Sequence, residues 1–77
     1  MNRSQYEAWI KENCTGSTTE WINQIEYKFG QMLDGWTAVF ERTETGDYMP
    51  LTQAKDLEHA RSFCNMREPV TVPVSFL

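Results

Sequence analysis

The chain has 77 residues, of which 40% are hydrophobic and 13% aromatic, and its formal net charge is −4. A chain of this length holds one domain, so residues 1–77 are expected to share a small core worth roughly 3 to 5 kcal/mol. The acid excess and the scattered Lys and Arg residues argue against direct nucleic-acid binding, which requires clustered positive charge.

The sequence predicts neither a membrane-spanning segment nor a signal peptide. Its apolar stretches are all shorter than the ~18 residues of a spanning helix, and the N-terminus lacks the apolar core of a signal peptide. We therefore expect a cytoplasmic protein, in its own cell or in the cytoplasm of a host. In that compartment Cys14 and Cys64 are expected to remain reduced, as thiols buried on helical faces.

The first predicted element is a helix over residues 5–14. Ser4 and Glu7 have the spacing of a capping box, which satisfies two amide groups at a helix start. The apolar side chains that follow recur at helical spacing on one face: Tyr6, Trp9, Ile10 and Cys14. Gly16 suits the left-handed position that ends many helices.

A second helix is predicted from Ser17 to Asp34. Ser17 and Glu20 repeat the capping-box spacing. On a helical wheel the apolar side chains fall within an arc of about 120°: Trp21, Ile22, Ile25, Phe29, Met32 and Leu33. Gly30 lies nearly opposite this arc, beside Tyr27, where a glycine costs about 1 kcal/mol relative to alanine. Its presence indicates either a fraying helix or a partner that approaches the backbone alongside Tyr27.

Residues 36–51 are predicted to form a β-hairpin. Residues 36–41 alternate between apolar and polar side chains, and residues 44–47 form the turn, with Gly46 available for a positive φ. The expected register pairs Phe40 with Leu51. One face is then apolar and directed to the core: Trp36, Ala38, Phe40, Met49 and Leu51. The other is mixed and expected to be wetter: Thr37, Val39, Glu41 and Tyr48.

The last two predicted elements are a helix and an edge strand. Thr52 is the expected N-cap of the helix, whose core face collects Leu57, Ala60, Phe63 and Cys64. Residues 70–76 alternate like a strand, and Pro73 confines that strand to a sheet edge. The predicted fold is α+β with the element order α-α-β-β-α-β. Its three-stranded, mainly antiparallel sheet has the strand order 2-1-3 and carries all helices on one face; the order 1-2-3 is the alternative.

The sequence offers no residue set for catalysis, metal binding or a cofactor. Zinc requires three or four ligands, whereas His59 and Cys64 are five residues apart and do not share a helix face. A catalytic acid needs burial or a fixed neighbour, and a turn exposes Glu41, Glu44 and Asp47. We therefore expect a protein that is not an enzyme.

The expected function is protein binding through an acidic and aromatic surface, which attracts partners with basic surfaces. The contact candidates are the acids of the hairpin tip and nearby surface residues: Glu41, Glu44, Asp47, Tyr48, Tyr27 and Asp34. Short acidic proteins without a catalytic set are frequent among phage and mobile-element products. There they block host proteins such as nucleic-acid-handling or defence enzymes, and we expect an inhibitor of this kind.

Two other functions are compatible with the sequence. The C-terminal edge strand could pair with that of a second copy, which would make a homodimer and bury Phe76 and Leu77. A small regulator could also bind nucleic acid despite its charge. Sedimentation at several concentrations tests the first alternative, and a salt-dependent mobility shift with DNA tests the second.

Overall fold

A computed structural model describes residues 1–67, which form two α-helices and a four-stranded antiparallel sheet. In chain order the elements are α1 (Arg3–Asn13), β1 (Cys14–Ile22), β2 (Ile25–Met32), β3 (Thr37–Arg42), β4 (Tyr48–Ala54) and α2 (Leu57–Met66). The strands lie in the order β1-β2-β3-β4 as a meander. The structure is α+β, but the predicted three helices, three strands and order 2-1-3 are wrong. The strand predicted over residues 70–76 lies outside the described residues.

The largest correction concerns the predicted second helix, which is a β-hairpin made of β1 and β2. Asn23 and Gln24 form its turn, and their φ angles of 51° and 69° give the two-residue turn that matches the twist of antiparallel strands. The sequence of β2 favours this arrangement, because the apolar residues Ile25, Tyr27 and Phe29 are separated by the charged residues Glu26 and Lys28, which is the period of a strand. β-Branched and aromatic side chains also pack well on a pleated surface.

The turn can be tested at Gln24, whose backbone has the left-handed conformation. This conformation costs a residue with a Cβ roughly 1–2 kcal/mol. Glycine lacks this cost. Gln24→Gly is therefore expected to raise the free energy of unfolding by about 1 kcal/mol in urea titrations. Gln53→Gly, at an exposed position of β4, is the matched control and should lower stability. A loss of stability in Gln24→Gly would contradict the assigned turn.

The two helices cover opposite faces of the sheet. α1 packs against Ala38 and Phe40, whereas α2 packs against Phe29 and Val39. Because successive strand residues point to opposite faces, the neighbours Val39 and Phe40 belong to two separate clusters. The central strand β3 is thus buried on both sides, and the prediction that all helices share one face is wrong.

The second hairpin is present, but its register differs from the predicted one. Arg42 pairs with Tyr48 and Phe40 pairs with Pro50, so the loop spans residues 43–47. A shift of one residue moves a side chain to the other face of the sheet, and Tyr48 therefore joins Phe40 beneath α1. A β-bulge at Leu51 then directs that side chain to the α2 face.

α1 begins earlier than predicted. Asn2, rather than Ser4, is the N-cap: its Oδ1 accepts from the backbone N–H of Gln5 at 2.8 Å, and Gln5 Oε1 accepts from the N–H of Asn2 at 3.0 Å. Gly16 does not end the helix but lies within β1. The chain passes directly from Asn13 into this strand, because the C-cap residue Cys14 is already extended.

α2 begins later than predicted and has a different N-cap. Asp56, not Thr52, caps it, and Asp56 Oδ1 accepts from the backbone N–H of His59 at 2.8 Å. The predicted core face of this helix is confirmed. Two of its members are fully buried and two are partly buried: Ala60 and Cys64, then Leu57 and Phe63.

The two cysteines lie on opposite faces of the sheet, and both are free thiols. Cys64 is fully buried on the inner face of α2, and burial raises the pKa of its thiol to about 11. Cys14 is only half-buried; it lies beside Gly30 on the α1 side, and burial raises the pKa of its thiol as well.

Candidate protein-binding site

A cavity of about 510 Å³ lies between two turns at one end of the sheet. The turns are Asn23–Gln24 and residues 43–47, and they are adjacent because β2 and β3 are neighbouring strands. Side chains of both turns and of the adjoining strand ends line the cavity, among them Trp21, Glu26, Glu41, Arg42 and Glu44. We refer to this cavity as the tip groove.

Trp21 gives the tip groove an aromatic wall. Its side chain is 69% exposed. The alternation of β1 explains this, because Ile22 packs into the α2 cluster and Trp21 must therefore point to the other face. On that face α1 covers Phe40 and Tyr48 and leaves the end of β1 open. Tryptophan is enriched at protein–protein contacts, so its exposure beside a cavity favours a binding surface.

Two acids at the tip groove are paired with bases. Glu26 lies 3.2 Å from Lys28 Nζ and 3.7 Å from Arg42 Nη1, and Glu41 lies 2.8 Å from Arg67 Nη1. The Arg67 contact also ties the end of α2 to the centre of the sheet. These pairs neutralise both carboxylates, so Glu26 and Glu41 shape the groove more than they charge it.

Glu44 and Asp47 supply the remaining negative charge of the tip. Both are exposed, and neither carboxylate has an ion-pair partner among residues 1–67. The loop that carries them is fixed by Thr43, whose N–H donates to Asp47 O at 2.9 Å and whose Oγ1 accepts from Asp47 N–H at 3.2 Å. The loop backbone is therefore anchored while both carboxylates face solvent.

The six predicted contact residues do not form one surface. Three lie together at the tip: Glu41, Glu44 and Asp47. Tyr27 and Tyr48 were expected on the surface, but they are only 0% and 5% exposed, and the Tyr48 ring stacks on Tyr6 at 4.2 Å. Asp34 lies at the opposite end of the sheet, where its Oδ1 accepts from the N–H of Trp36 at 3.0 Å. The aromatic part of the predicted surface is thus absent from the tip.

The aromatic residue that does lie at the tip is Trp21, which the sequence pattern places in the core of a helix. The signal that could have found it is the short segment around Asn23. Asparagine tolerates a left-handed backbone, and it stands between two apolar stretches. Treated as a turn, Asn23–Gln24 predicts a hairpin in which Trp21 and Ile22 face opposite sides.

A second pair of titratable side chains, His59 and Asp56, lies at the start of α2. His59 Nδ1 is 2.7 Å from Asp56 Oδ1, and both side chains are exposed. Hydrogen bonds from the backbone N–H and ring of His59 lower the pKa of Asp56, which is the ordinary effect of an N-cap. Within residues 1–67, no three His, Cys, Asp or Glu side chains are placed to share a metal ion.

Comparison with protein-family models, with curated proteins and with solved structures finds no match to this chain. Function must be inferred from the tip groove itself.

Proposed function

We propose that the protein is a non-enzymatic protein-binding module that holds a basic side chain of its partner in the tip groove. One observation carries the proposal. A cavity of about 510 Å³ has the exposed ring of Trp21 on one hairpin and, on the other, the carboxylate of Glu44, which has no ion-pair partner among residues 1–67.

Arginine is the side chain whose chemistry fits this pair. A guanidinium stacks on the face of an aromatic ring and donates hydrogen bonds to a carboxylate at the same time. A cation over tryptophan contributes about 0.5–1 kcal/mol at an exposed site. Because Glu26 and Glu41 are paired internally, the incoming charge would be met by Glu44, with Asp47 close by.

Binding of this kind would inhibit a partner that uses its basic surface to bind nucleic acid. A partner whose basic surface is covered by this chain can no longer bind nucleic acid there. The net charge of −4 attracts such surfaces over a distance and speeds association. The chain would then act by occupying a partner's nucleic-acid-binding site, without chemistry of its own.

The first test is an NMR titration with N-acetyl-arginine amide. The indole N–H of Trp21 and the backbone N–H of Glu44 are expected to shift, since both groups line the groove. N-acetyl-citrulline amide has nearly the same shape without the charge and should leave both signals in place. Equal shifts with both compounds, or none at Trp21, would contradict the proposal.

The second test reverses the charge at the tip. Glu44→Lys combined with Asp47→Lys is expected to weaken binding of N-acetyl-arginine amide by about tenfold or more, because a charge-assisted hydrogen bond becomes a repulsion. Glu12→Lys combined with Asp34→Lys is the matched control, since both residues are exposed and lie outside the tip. If both pairs weaken binding equally, overall charge and not the groove governs recognition.

A further inference from the structure

The two edges of the sheet differ in their protection. Along β4, Met1 donates its N–H to Tyr48 O at 2.9 Å and accepts from Tyr48 N–H at 2.7 Å. Pro50 has no N–H to offer, and the β-bulge at Leu51 bends the strand. Each of these features hinders the addition of another strand. The β4 edge is therefore blocked.

Within residues 1–67, the β1 edge has no comparable protection. Beyond the bulge near Thr15, residues 16–22 run without proline or further irregularity. Their single charged side chain is Glu20, which is held by Arg61 on α2 at 2.6 Å. A regular, nearly uncharged edge presents unpaired backbone groups to another strand.

The β1–β2 turn determines which backbone groups those are. In a hairpin with a two-residue turn, the flanking residues Ile22 and Ile25 exchange hydrogen bonds. Every second residue of β1 therefore bonds to β2: Ile22, Glu20 and Thr18. The residues between them direct N–H and C=O outward: Trp21, Thr19 and Ser17. The hydrogen bond from Met32 N–H to Trp36 O agrees with this assignment. It shows that the backbone groups of the even-numbered residues of β2 point to the β3 side, which leaves those of the odd-numbered residues to bond to β1.

The side chains of residues 16–22 are also complementary in size to those of the same segment in an antiparallel second copy. Small side chains precede Thr19 and large ones follow it, in the order Gly16, Ser17, Thr18, then Glu20, Trp21, Ile22. An antiparallel copy centred on Thr19 sets each large side chain opposite a small one. An added Cβ on Gly16 would meet nothing within 4 Å, so there is space at this position for Ile22 of the second copy.

Charge favours the same register. The outward residues must pair with one another, which permits centres at Thr18, Thr19 or Glu20. A centre at Glu20 would set two carboxylates directly opposite each other, which is destabilising. A centre at Thr18 pairs Glu20 with Gly16 and leaves Trp21 beside the bulge at Thr15. The centre at Thr19 pairs the whole regular segment.

We propose that two copies of this chain pair along β1, antiparallel and centred on Thr19, into one continuous eight-stranded sheet. The outward groups of Ser17, Thr19 and Trp21 form the new hydrogen bonds. Trp21 of each copy lies beside Ser17 of the other. Trp21 therefore belongs both to the tip groove and to the paired edge.

Thr19→Pro tests the pairing, because it removes an outward N–H that does not bond to β2. Sedimentation at increasing concentration is expected to show a dimer for the native chain and a monomer for Thr19→Pro. Thr19→Val is the matched control. Both variants lose the hydrogen bond from Lys28 Nζ to Thr19 Oγ1 at 2.6 Å, but only proline removes the N–H. Thr19→Val should remain dimeric.

A second measurement tests the register without any substitution. In a mixture of isotope-labelled and unlabelled chains, nuclear Overhauser contacts between copies are expected from Trp21 to Ser17 and from Ile22 to Gly16. Three results would overturn the proposal: a native chain that stays monomeric at every concentration, a Thr19→Pro variant that still dimerises, or contacts from residues 68–77 onto β1 within a monomer.

Discussion

Gly30→Val is expected to destabilise the protein by about 1–3 kcal/mol, a large share of the total for a domain of this size. A Cβ on Gly30 would lie 2.8 Å from Ile10 Cδ1 and 2.9 Å from Cys14 Sγ. A valine at this position would therefore displace the side chains of Ile10 and Cys14 between α1 and the sheet. Urea unfolding of the variant measures the cost.

Gly16→Val is the matched control for this substitution. It makes the same change in the neighbouring strand, where an added Cβ has no neighbour within 4 Å. Measured at concentrations below self-association, it should be neutral or slightly stabilising, since valine favours a strand. Adding Ile10→Ala to Gly30→Val should recover part of the loss by making room. A Gly30→Val variant as stable as Gly16→Val would mean that α1 does not pack there.

Stability is expected to fall as the pH rises from 9 to 11, owing to the buried thiol of Cys64. Burial raises its pKa from 9.0 to about 11, so the folded chain retains a proton that the unfolded chain releases above pH 9. The free energy of unfolding should therefore decline by about 1 kcal/mol per pH unit in this window. Urea titrations at several pH values measure the slope.

Cys64→Ala isolates the thiol's share of this decline. Above pH 10 the phenols of Tyr6 and Tyr27 add to it, because burial raises the pKa of both. Between pH 9 and 10 Cys64→Ala should flatten the curve, whatever its effect on absolute stability. Cys14→Ala, at a half-buried thiol, should flatten it less. An unchanged slope in Cys64→Ala would contradict the assigned burial.

The parts of the fold that sequence predicts well are those fixed by local pattern. A strand over most of residues 36–41 and the helical face of Ala60 and Cys64 both correspond to what the structure shows. The predicted wetter face of that strand is wrong, because Thr37 and Val39 are buried and Trp36 is exposed. The register of the second hairpin could not be read in the same way. It depends on whether the loop contains Thr43, and the loop closes through one backbone bond from Thr43 N–H to Asp47 O and one hydrogen bond from Asp47 N–H to Thr43 Oγ1.

The hairpin of β1 and β2 could not be predicted from periodicity, because its residues fit both a helical and a strand pattern. The apolar residues between Trp21 and Leu33 fit a helical arc, while Ile25, Tyr27 and Phe29 also fit a strand. Contacts distant in sequence decide between them. Glu20, which has the spacing of a capping residue, instead forms an ion pair with Arg61 of α2. Gly30 lies where Ile10 of α1 packs against the sheet.

The candidate site was only partly predictable for the same reason. Turn residues such as Glu44 and Asp47 are exposed in any arrangement of the chain. The exposure of Trp21 and the burial of Tyr27 depend on strand alternation and change together once the helix becomes a hairpin. Both the tip groove and the open edge therefore rest on this one hairpin.

Amide hydrogen exchange of residues 16–22, measured by NMR at two protein concentrations, tests that hairpin most directly. At the lower concentration, protection should alternate, with slow exchange at Thr18, Glu20 and Ile22 and fast exchange between them. At the higher concentration Thr19 and Trp21 should become protected as well. Continuous protection from Ser17 onward at both concentrations, with the sequential contacts of a helix, would contradict the hairpin and both inferences built on it.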